Sequence, residues 1–347
     1  ADPSRPRTRA EPLESGQRIG RFTLLRKLGE GGMGIVYAAY DDELDRKVAI
    51  KLVRATKIDE LARARVLREA QAMARVSHPN VVQIYDVGVH GEEVEQVYVA
   101  MEFVAGPTLA EWTASWRERA RLEGALVWPE ILARYVDAGR GLAAAHAAGL
   151  VHRDFKPANA IVGDDGRVRV LDFGIARPIL GALPRASQLQ PVAEVALGLV
   201  SATGAPSNQS STFTRTGAMV GTPAYMSPEQ FEGGDVDASS DQFGFCVALW
   251  EALHGERPFA GRSPAALLLA MREGTLRAVP PTSQVPAWLR ERIRRGLSFD
   301  PAARWPSMDA LLHALLDDPD RRRRARQRRL GIALIPLAVL GGSLAFA

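Results

Sequence analysis

The stretch His152-Arg153-Asp154-Phe155-Lys156-Pro157-Ala158-Asn159 decides how this chain is read. It sets a carboxylate, an ammonium and a carboxamide within eight residues of one another. Such a loop can handle a hydroxyl proton, a phosphoryl group and a metal ion together. The chain around it has 347 residues, 46% hydrophobic and 24% charged, the make-up of a globular protein with room for two packed lobes and a large core. Its only cysteine, Cys246, excludes an intramolecular disulfide and a cysteine-based zinc site, which suits a reducing compartment; the residue reads as a buried helical position. The formal charge of +4 looks like a nucleic-acid signal until the arginines are located. Seven of them lie between Arg321 and Arg329, and without these the remainder sums to −3. The basicity belongs to one segment, and no nucleic-acid partner is expected.

Working outward toward the amino end, residues 1–21 are rich in Pro, Arg and Glu and read as a flexible leader, with truncation as one alternative and no signal peptide. A strand-like run from Phe22 enters Gly29-Glu30-Gly31-Gly32-Met33-Gly34 and leaves through Ile35 and Val36 as another strand. G-x-G-x-x-G spacing lets backbone N–H groups close over phosphates. A dinucleotide site would need these glycines to open a helix, whereas here the chain continues as strand. Val48-Ala49-Ile50-Lys51 forms a third strand, and residues 59–76 a helix with Val66, Ala70 and Met73 as its apolar stripe. Val81–Val87 and Val97–Val104 complete a five-stranded antiparallel lobe. Beyond Gly106 the periodicity turns helical, and residues 130–149 form a buried helix leading to the central stretch. His146 and His152 read as structural.

Toward the carboxyl end, Val168 to Gly174 is a strand closing in Asp172-Phe173-Gly174. From Asp172 to Glu229 the chain spends 58 residues, and residues 178–213 are rich in Ala, Ser, Gly and Pro, which marks a functional or mobile insert with a short helix near 192–200 as an option. Helices are expected at 241–253, 263–274, 286–297 and 306–316.

Taken in order, these motifs resemble those of eukaryotic-like (Hanks-type) bacterial Ser/Thr protein kinases over about residues 22–316. The resemblance implies an α+β bilobal kinase fold, with a small antiparallel β lobe carrying one helix and a larger, mainly helical lobe. It implies ATP and Mg²⁺ as cofactors, with Mn²⁺ as a substitute. Asp154 would orient the acceptor hydroxyl, Lys156 neutralise the transferring phosphate, and Asn159 and Asp172 hold the metal. Leu28 to Val36, that is Leu28, Gly29, Glu30, Gly31, Gly32, Met33, Gly34, Ile35 and Val36, would cover the nucleotide. Lys51 would contact its phosphates with Glu69 as its ion-pair partner, and Ala49 and Met101 would flank adenine. The backbone of Glu102 and Val104 would form the hinge. Phe173 would pack beneath the helix bearing Glu69.

Lys156 and Thr222, in Gly221-Thr-Pro-Ala-Tyr, match the Ser/Thr members, Thr222 lining the substrate-hydroxyl pocket, so protein Ser/Thr acceptors are implied. Thr214 and Thr216 match regulatory phosphosites that Arg153 would bind, reached in trans within a dimer. Ser227 replaces the alanine of A-P-E. Asp241 would brace the catalytic loop, and Arg304 would pair with Glu229. The rival expectation is a catalytically silent ATP-binding receptor or scaffold, against which the full motif set stands.

The tail is separate. Residues 317–329 form a basic juxtamembrane segment, and residues 330–347 carry no charge. At 1.5 Å per residue that run spans about 27 Å, against a bilayer core of about 30 Å. A transmembrane helix is therefore expected, with truncation at its end as one alternative and the arginines on the cytoplasmic side; nuclear localisation or nucleic-acid binding by the arginines is the minority reading. That places a single-pass protein in the inner or plasma membrane with its kinase domain cytoplasmic.

Overall fold

Side-chain alternation builds the smaller lobe. The computed structural model describes residues 13–31, 34–53, 60–91, 96–173 and 223–319. Six strands form one antiparallel sheet in the order β1-β2-β3-β4-β6-β5. They are β1 (Arg18–Ile19), β2 (Phe22–Gly31), β3 (Gly34–Asp41), β4 (Arg46–Val53), β5 (Ile84–His90) and β6 (Gln96–Glu102). On β4, Val48, Ile50 and Leu52 enter one apolar cluster with Phe22, Leu24 and Tyr37. Ala49 and Val53 face the other way, into the cluster shared with the larger lobe. Period-two alternation therefore places Lys51 on the Ala49 side, toward the interlobe cleft.

The small lobe starts before Phe22, which corrects the boundary of the expected leader at residue 21 and the expected count of five strands. Ile19 pairs with Phe22 across a tight turn at Gly20, whose φ is 56°. Ile19 is fully buried, and the Leu13 N–H donates to the Tyr37 hydroxyl at 3.0 Å. A lone apolar residue in a polar run has been taken up by the sheet. The strand expected at Val81 starts at Ile84 instead. Val81 and Val82 belong to the other lobe, Val81 bridging to Val170 and the Val82 N–H donating to the Val170 carbonyl at 3.0 Å.

One helix, α1 (Glu60–Ala74), packs against β5 and β6 through the buried Val66, Ala70 and Met73, as the stripe required. The larger lobe holds α2 (Leu109–Glu123), α3 (Trp128–Ala147), the hairpin β7 (Ala160–Val162) and β8 (Val168–Val170), then α4 (Pro228–Glu232), α5 (Ala238–His254), α6 (Pro264–Arg272), α7 (Ala287–Gly296) and α8 (Met308–Leu316). Along α3, Ile131, Tyr135, Ala138, Leu142 and Ala145 are buried. Gly141 allows close approach: a Cβ there would lie 2.3 Å from the Asn80 carbonyl oxygen. α5 is buried along nearly its whole length from Ser240 to Leu253, Cys246 included, so the lobe is built around it.

Among the described residues no helix is long and apolar enough to cross a membrane. The expected span at 330–347, the insert at 178–213 and most of the basic segment 317–329 lie outside the described residues.

Candidate active site

α5 positions the loop around Asp154 from below. The carboxylate of the buried Asp241 accepts the His152 N–H at 2.6 Å and the Arg153 N–H at 2.7 Å, and lies 2.8 Å from Nε2 of His146. From the other side the Gln230 amide donates to the Arg153 carbonyl at 2.8 Å. These contacts hold Arg153 at φ 65°, a left-handed conformation that costs a residue with a Cβ about 1–2 kcal/mol. His152 is fully buried. Its Nδ1 accepts the Asp154 N–H at 3.3 Å, and its Nε2 donates to the Leu171 carbonyl at 2.8 Å, while its ring rests 4.8 Å from that of Phe173. One imidazole thereby ties the Asp154 loop to the Asp172 turn, the structural role expected of it.

Within the loop, Lys156 Nζ lies 2.9 Å from Asp154 Oδ2. The Asn159 amide donates to the Asp154 carbonyl at 2.9 Å, which leaves its own Oδ1 facing away from that bond. A helical turn at Pro157–Asn159 followed by β7 fixes this spacing. Asp172 sits at φ 57°, and its Oδ1 meets Lys51 Nζ at 2.6 Å across 121 residues of sequence. Burial raises the Asp172 carboxyl, but the Lys51 charge and hydrogen bond, with His152 and Lys156 behind them, outweigh it and hold the group below its ordinary range.

The expected pair between Lys51 and Glu69 is corrected by this contact. Lys51 is buried to 3% exposure and is satisfied by Asp172. Glu69 instead faces Arg153 Nη1 at 3.3 Å. A buried ammonium takes the carboxylate in direct contact, and the guanidinium on the rim engages the other.

The residues expected to face a nucleotide come together on the sheet. Val36 is the register partner of both Gly29 and Lys51, Glu30 pairs with Ile35, and Ala49 pairs with Met101. Leu28 is exposed on β2. At Gly34 (φ 153°) a Cβ would lie 2.0 Å from the Leu52 carbonyl oxygen, so packing within the chain demands glycine there. At Gly29 and Gly31 a Cβ would meet nothing within 4 Å among the described residues, so glycine there answers a requirement other than packing. Phosphate-binding backbone fits that requirement, and Asp172 with Asn159 supplies the oxygen donors a hard divalent cation takes. The Glu102 N–H is spent on the Gln83 carbonyl at 2.8 Å and the Glu102 side chain on Arg169 at 2.8 Å, so this residue can offer a nucleotide only its carbonyl. Val104 follows it, half-buried against the core. Phe173 is buried in the same cluster as Ala70 and Met73 of α1, where it was expected. Gly32, Met33, Thr214, Thr216 and Thr222 lie outside the described residues.

Arg304 was expected to reach Glu229 and does, through two bonds of 2.9 and 2.8 Å. Its guanidinium also donates to the carbonyls of Ser239, Ser298 and Phe299. Burial raises the Glu229 carboxyl; hydrogen bonds from Arg304 and Ser240 prevail and hold it below its ordinary value. Two contributors were not anticipated. Gln230 had a signal in Ser227-x-x-Gln230, an N-terminal capping box that fixes the Gln230 side chain beside the loop. Tyr225, whose hydroxyl donates to Glu251 at 2.5 Å, had none.

The sequence model of the family described as protein kinase domain matches residues 22–193, and that described as protein tyrosine and serine/threonine kinase matches residues 196–315. Among curated proteins, the probable serine/threonine-protein kinase SCO3848 of Streptomyces coelicolor is 36% identical over 314 residues, 89% of this chain and 39% of that relative. The serine/threonine-protein kinase PknL of Mycobacterium bovis is 32% identical over 313 residues, 89% of this chain and 69% of the relative. The chain thus spans well under half of SCO3848 and about two thirds of PknL. Among solved structures, the PknI kinase domain of Mycobacterium tuberculosis superimposes with a TM-score of 0.60 at 25% identity, covering 88% of this chain and 98% of that one.

Proposed function

The chain belongs to the Hanks-type bacterial Ser/Thr protein kinases, and on that premise we propose that it transfers the γ-phosphoryl group of ATP to Ser or Thr hydroxyls of proteins. The observation that carries the reading is the convergence of Lys51, Asp154, Lys156, Asn159 and Asp172 on one cleft, with Lys51 bonded to Asp172 across the two lobes. Asp154 accepts the acceptor hydroxyl's hydrogen bond and aims its oxygen, and Lys156, already 2.9 Å from that carboxylate, offsets negative charge brought beside it. Lys51 is the buried cation available to a nucleotide's phosphates. Mg²⁺ or Mn²⁺, held by Asp172 and Asn159, would supply charge neutralisation between the phosphates when bound.

The test is incubation of the chain with labelled ATP, Mg²⁺ and a generic protein acceptor, followed by phosphoamino-acid analysis. Label on Ser and Thr is expected. Nucleotide binding without any transfer would favour a silent scaffold and remove the proposal.

Two finer readings accompany it. Residues 330–347 anchor the chain in a membrane with residues 1–329 on the cytoplasmic face, supported by eighteen residues without a charge beside seven arginines. A chain ending at residue 322 is then recovered in the soluble fraction. One ending at residue 347 sediments with membranes, resists high salt and needs detergent, and release by salt alone would replace insertion with surface binding. Autophosphorylation at Thr214 or Thr216, in trans within a dimer, is supported by the place of Arg153 directly before Asp154, which matches the arginine that binds an activation-segment phosphate in many family members. Mass spectrometry finding neither site modified in active enzyme would remove it.

A further inference from the structure

Two concavities flank the short helical turn Pro223–Tyr225. The larger, about 810 Å³, starts at Pro157, directly after Lys156, and runs past Arg117 of α2 and Glu251 of α5 to the loop around Pro280–Val285. The smaller, about 280 Å³, opens on the other side of the same turn and is lined by Pro223, Ala224, Arg257, Arg262 and Arg277. The larger space adjoins the catalytic loop through Pro157 and reaches Tyr225, and the smaller shares the same turn through Pro223 and Ala224.

Their charge is lopsided once existing bonds are counted. Glu251 is occupied by the Tyr225 hydroxyl at 2.5 Å and faces Arg257 at 3.8 Å. Glu118 is held by Arg121 through bonds of 2.8 and 3.1 Å. Both carboxylates on these walls are therefore engaged. Among the described residues, Arg117 and Arg262 face no carboxylate within ion-pair distance. Arg117 is half-buried, its Nη1 fixed on the Ala252 carbonyl at 2.7 Å. A cation held half out of water without a counterion is costly, and an anion arriving in the groove relieves that cost. Burial alone lowers the Arg117 pKa, the same penalty seen from the proton's side.

We propose that the acceptor segments of this enzyme are acidic, with Asp or Glu side chains flanking the Ser or Thr and read by Arg117 in the larger groove and Arg262 in the smaller. The proposal rests on the kinase reading above and names its substrate class. An arginine-rich acceptor would set cations against Arg117 and Arg262 and find the carboxylates already bonded, which discriminates against it by repulsion as well as by lost attraction.

The experiment uses the full chain in detergent with three synthetic acceptors sharing one central Thr, flanked by Asp and Glu, by Ala, or by Arg. The KM of the acidic acceptor is expected to be roughly tenfold below that of the arginine-flanked one, the difference residing in KM and not in kcat. Arg117→Gln and Arg262→Gln should each narrow that ratio about threefold. Arg262 is exposed and bonds to nothing described, so its variant tests recognition without disturbing the fold. An arginine-flanked acceptor used as well as or better than the acidic one overturns the proposal, as does an unchanged ratio in both variants. Fluorescence anisotropy of the labelled acidic and arginine-flanked peptides separates this from the kinase reading. If none of the three peptides is phosphorylated, the kinase reading falls alone. Tighter binding of the acidic peptide would still support the recognition surface, and equal or weaker binding would overturn it.

Discussion

Replacing Asp241 by Asn tests whether a residue that touches no reactant sets the geometry of the catalytic loop. The native carboxylate accepts the Arg153 N–H on one oxygen at 2.7 Å and the His152 N–H on the other at 2.6 Å, the latter oxygen also facing His146. An asparagine of the same shape keeps one oxygen. The arrangement that loses least leaves it on the side with two partners and turns the NH₂ toward the Arg153 N–H, donor against donor. The change removes one charge-assisted hydrogen bond, about 1.5–3 kcal/mol, and orphans a buried N–H. Arg153 recovers about 1–2 kcal/mol by leaving its left-handed conformation. The net cost is about 2–3 kcal/mol, or a fall in Tm of roughly 3–5 °C at this size. The functional loss should be larger than the stability loss, because the relaxation moves Asp154, the next residue. A misplacement near 1 Å costs about 100-fold in kcat. Lys51, Gly29 and Gly31 belong to the other lobe, so KM for ATP should stay within about threefold. Steady-state phosphotransfer, nucleotide-binding fluorescence and a thermal melt measure the three quantities. A variant with kcat within threefold of the parent would refute the positioning argument whatever its Tm.

Asp154→Asn should abolish phosphotransfer and leave nucleotide binding nearly intact, whereas Asp172→Asn should weaken Mg²⁺–ATP binding as well; substantial turnover by Asp154→Asn in a radiometric assay removes its assignment. Arg304→Ala should destabilise the fold by about 3–5 kcal/mol, since it strands the Glu229 carboxylate and three carbonyls around a buried guanidinium; a denaturant midpoint equivalent to under 1 kcal/mol would contradict the burial argument. His254 is pushed down to about 4 from 6.5 by burial and by Arg290 and Arg117, so it stays neutral in the fold. Its folded value being depressed, the unfolded chain takes up the proton first: nothing is lost above pH 6.5, and stability falls from there toward pH 4. His254→Asn should flatten the decline of Tm between pH 6.5 and 5, and an unaltered slope in the variant would show that other groups carry it.

Much of this was legible because the controlling signals are local. Val48 to Lys51 alternates, so its strand and the side on which Lys51 falls follow from period two, and α1 followed from Val66, Ala70 and Met73. The pairing of Arg304 with Glu229 was legible only through resemblance, since 75 residues separate them and no spacing rule connects them. What escaped depended on competition between partners. Glu69 and Asp172 are both carboxylates that Lys51 could take, and only the packed geometry shows Asp172 in contact and Glu69 on Arg153. α2 was passed over in a stretch read only as helical, although Thr108-x-x-Glu111 is a capping box that marks its start, with the Glu111 carboxylate accepting the Thr108 N–H at 2.9 Å. Ile19 escaped for the opposite reason: a single apolar residue carries no period.

Backbone strain links the fold to the chemistry more directly than any side-chain pattern. Among the described residues three that are not glycine have positive φ: Asp45, Arg153 and Asp172. Asp45 closes the turn between β3 and β4, where an aspartate tolerates the left-handed region and its carboxylate accepts the hydroxyl of the neighbouring Tyr40. Arg153 and Asp172 are different, because each adjoins or bears a carboxylate on which the proposed reaction turns, and each is held by bonds from distant elements. Asp241 of α5 and Gln230 of α4 grip the Arg153 peptide groups; Lys51 of β4 grips the Asp172 side chain. Relaxing either residue to an ordinary β or helical conformation would swing Asp154 or Asp172 out of the cleft. About 1–2 kcal/mol of strain at each position is therefore retained, at Arg153 by contacts within the larger lobe and at Asp172 by a bond that spans both lobes. Separating the lobes should release it at Asp172 and leave Arg153 held by α4 and α5, so the Asp154 side of the site is set by the larger lobe and the Asp172 side only by the whole fold.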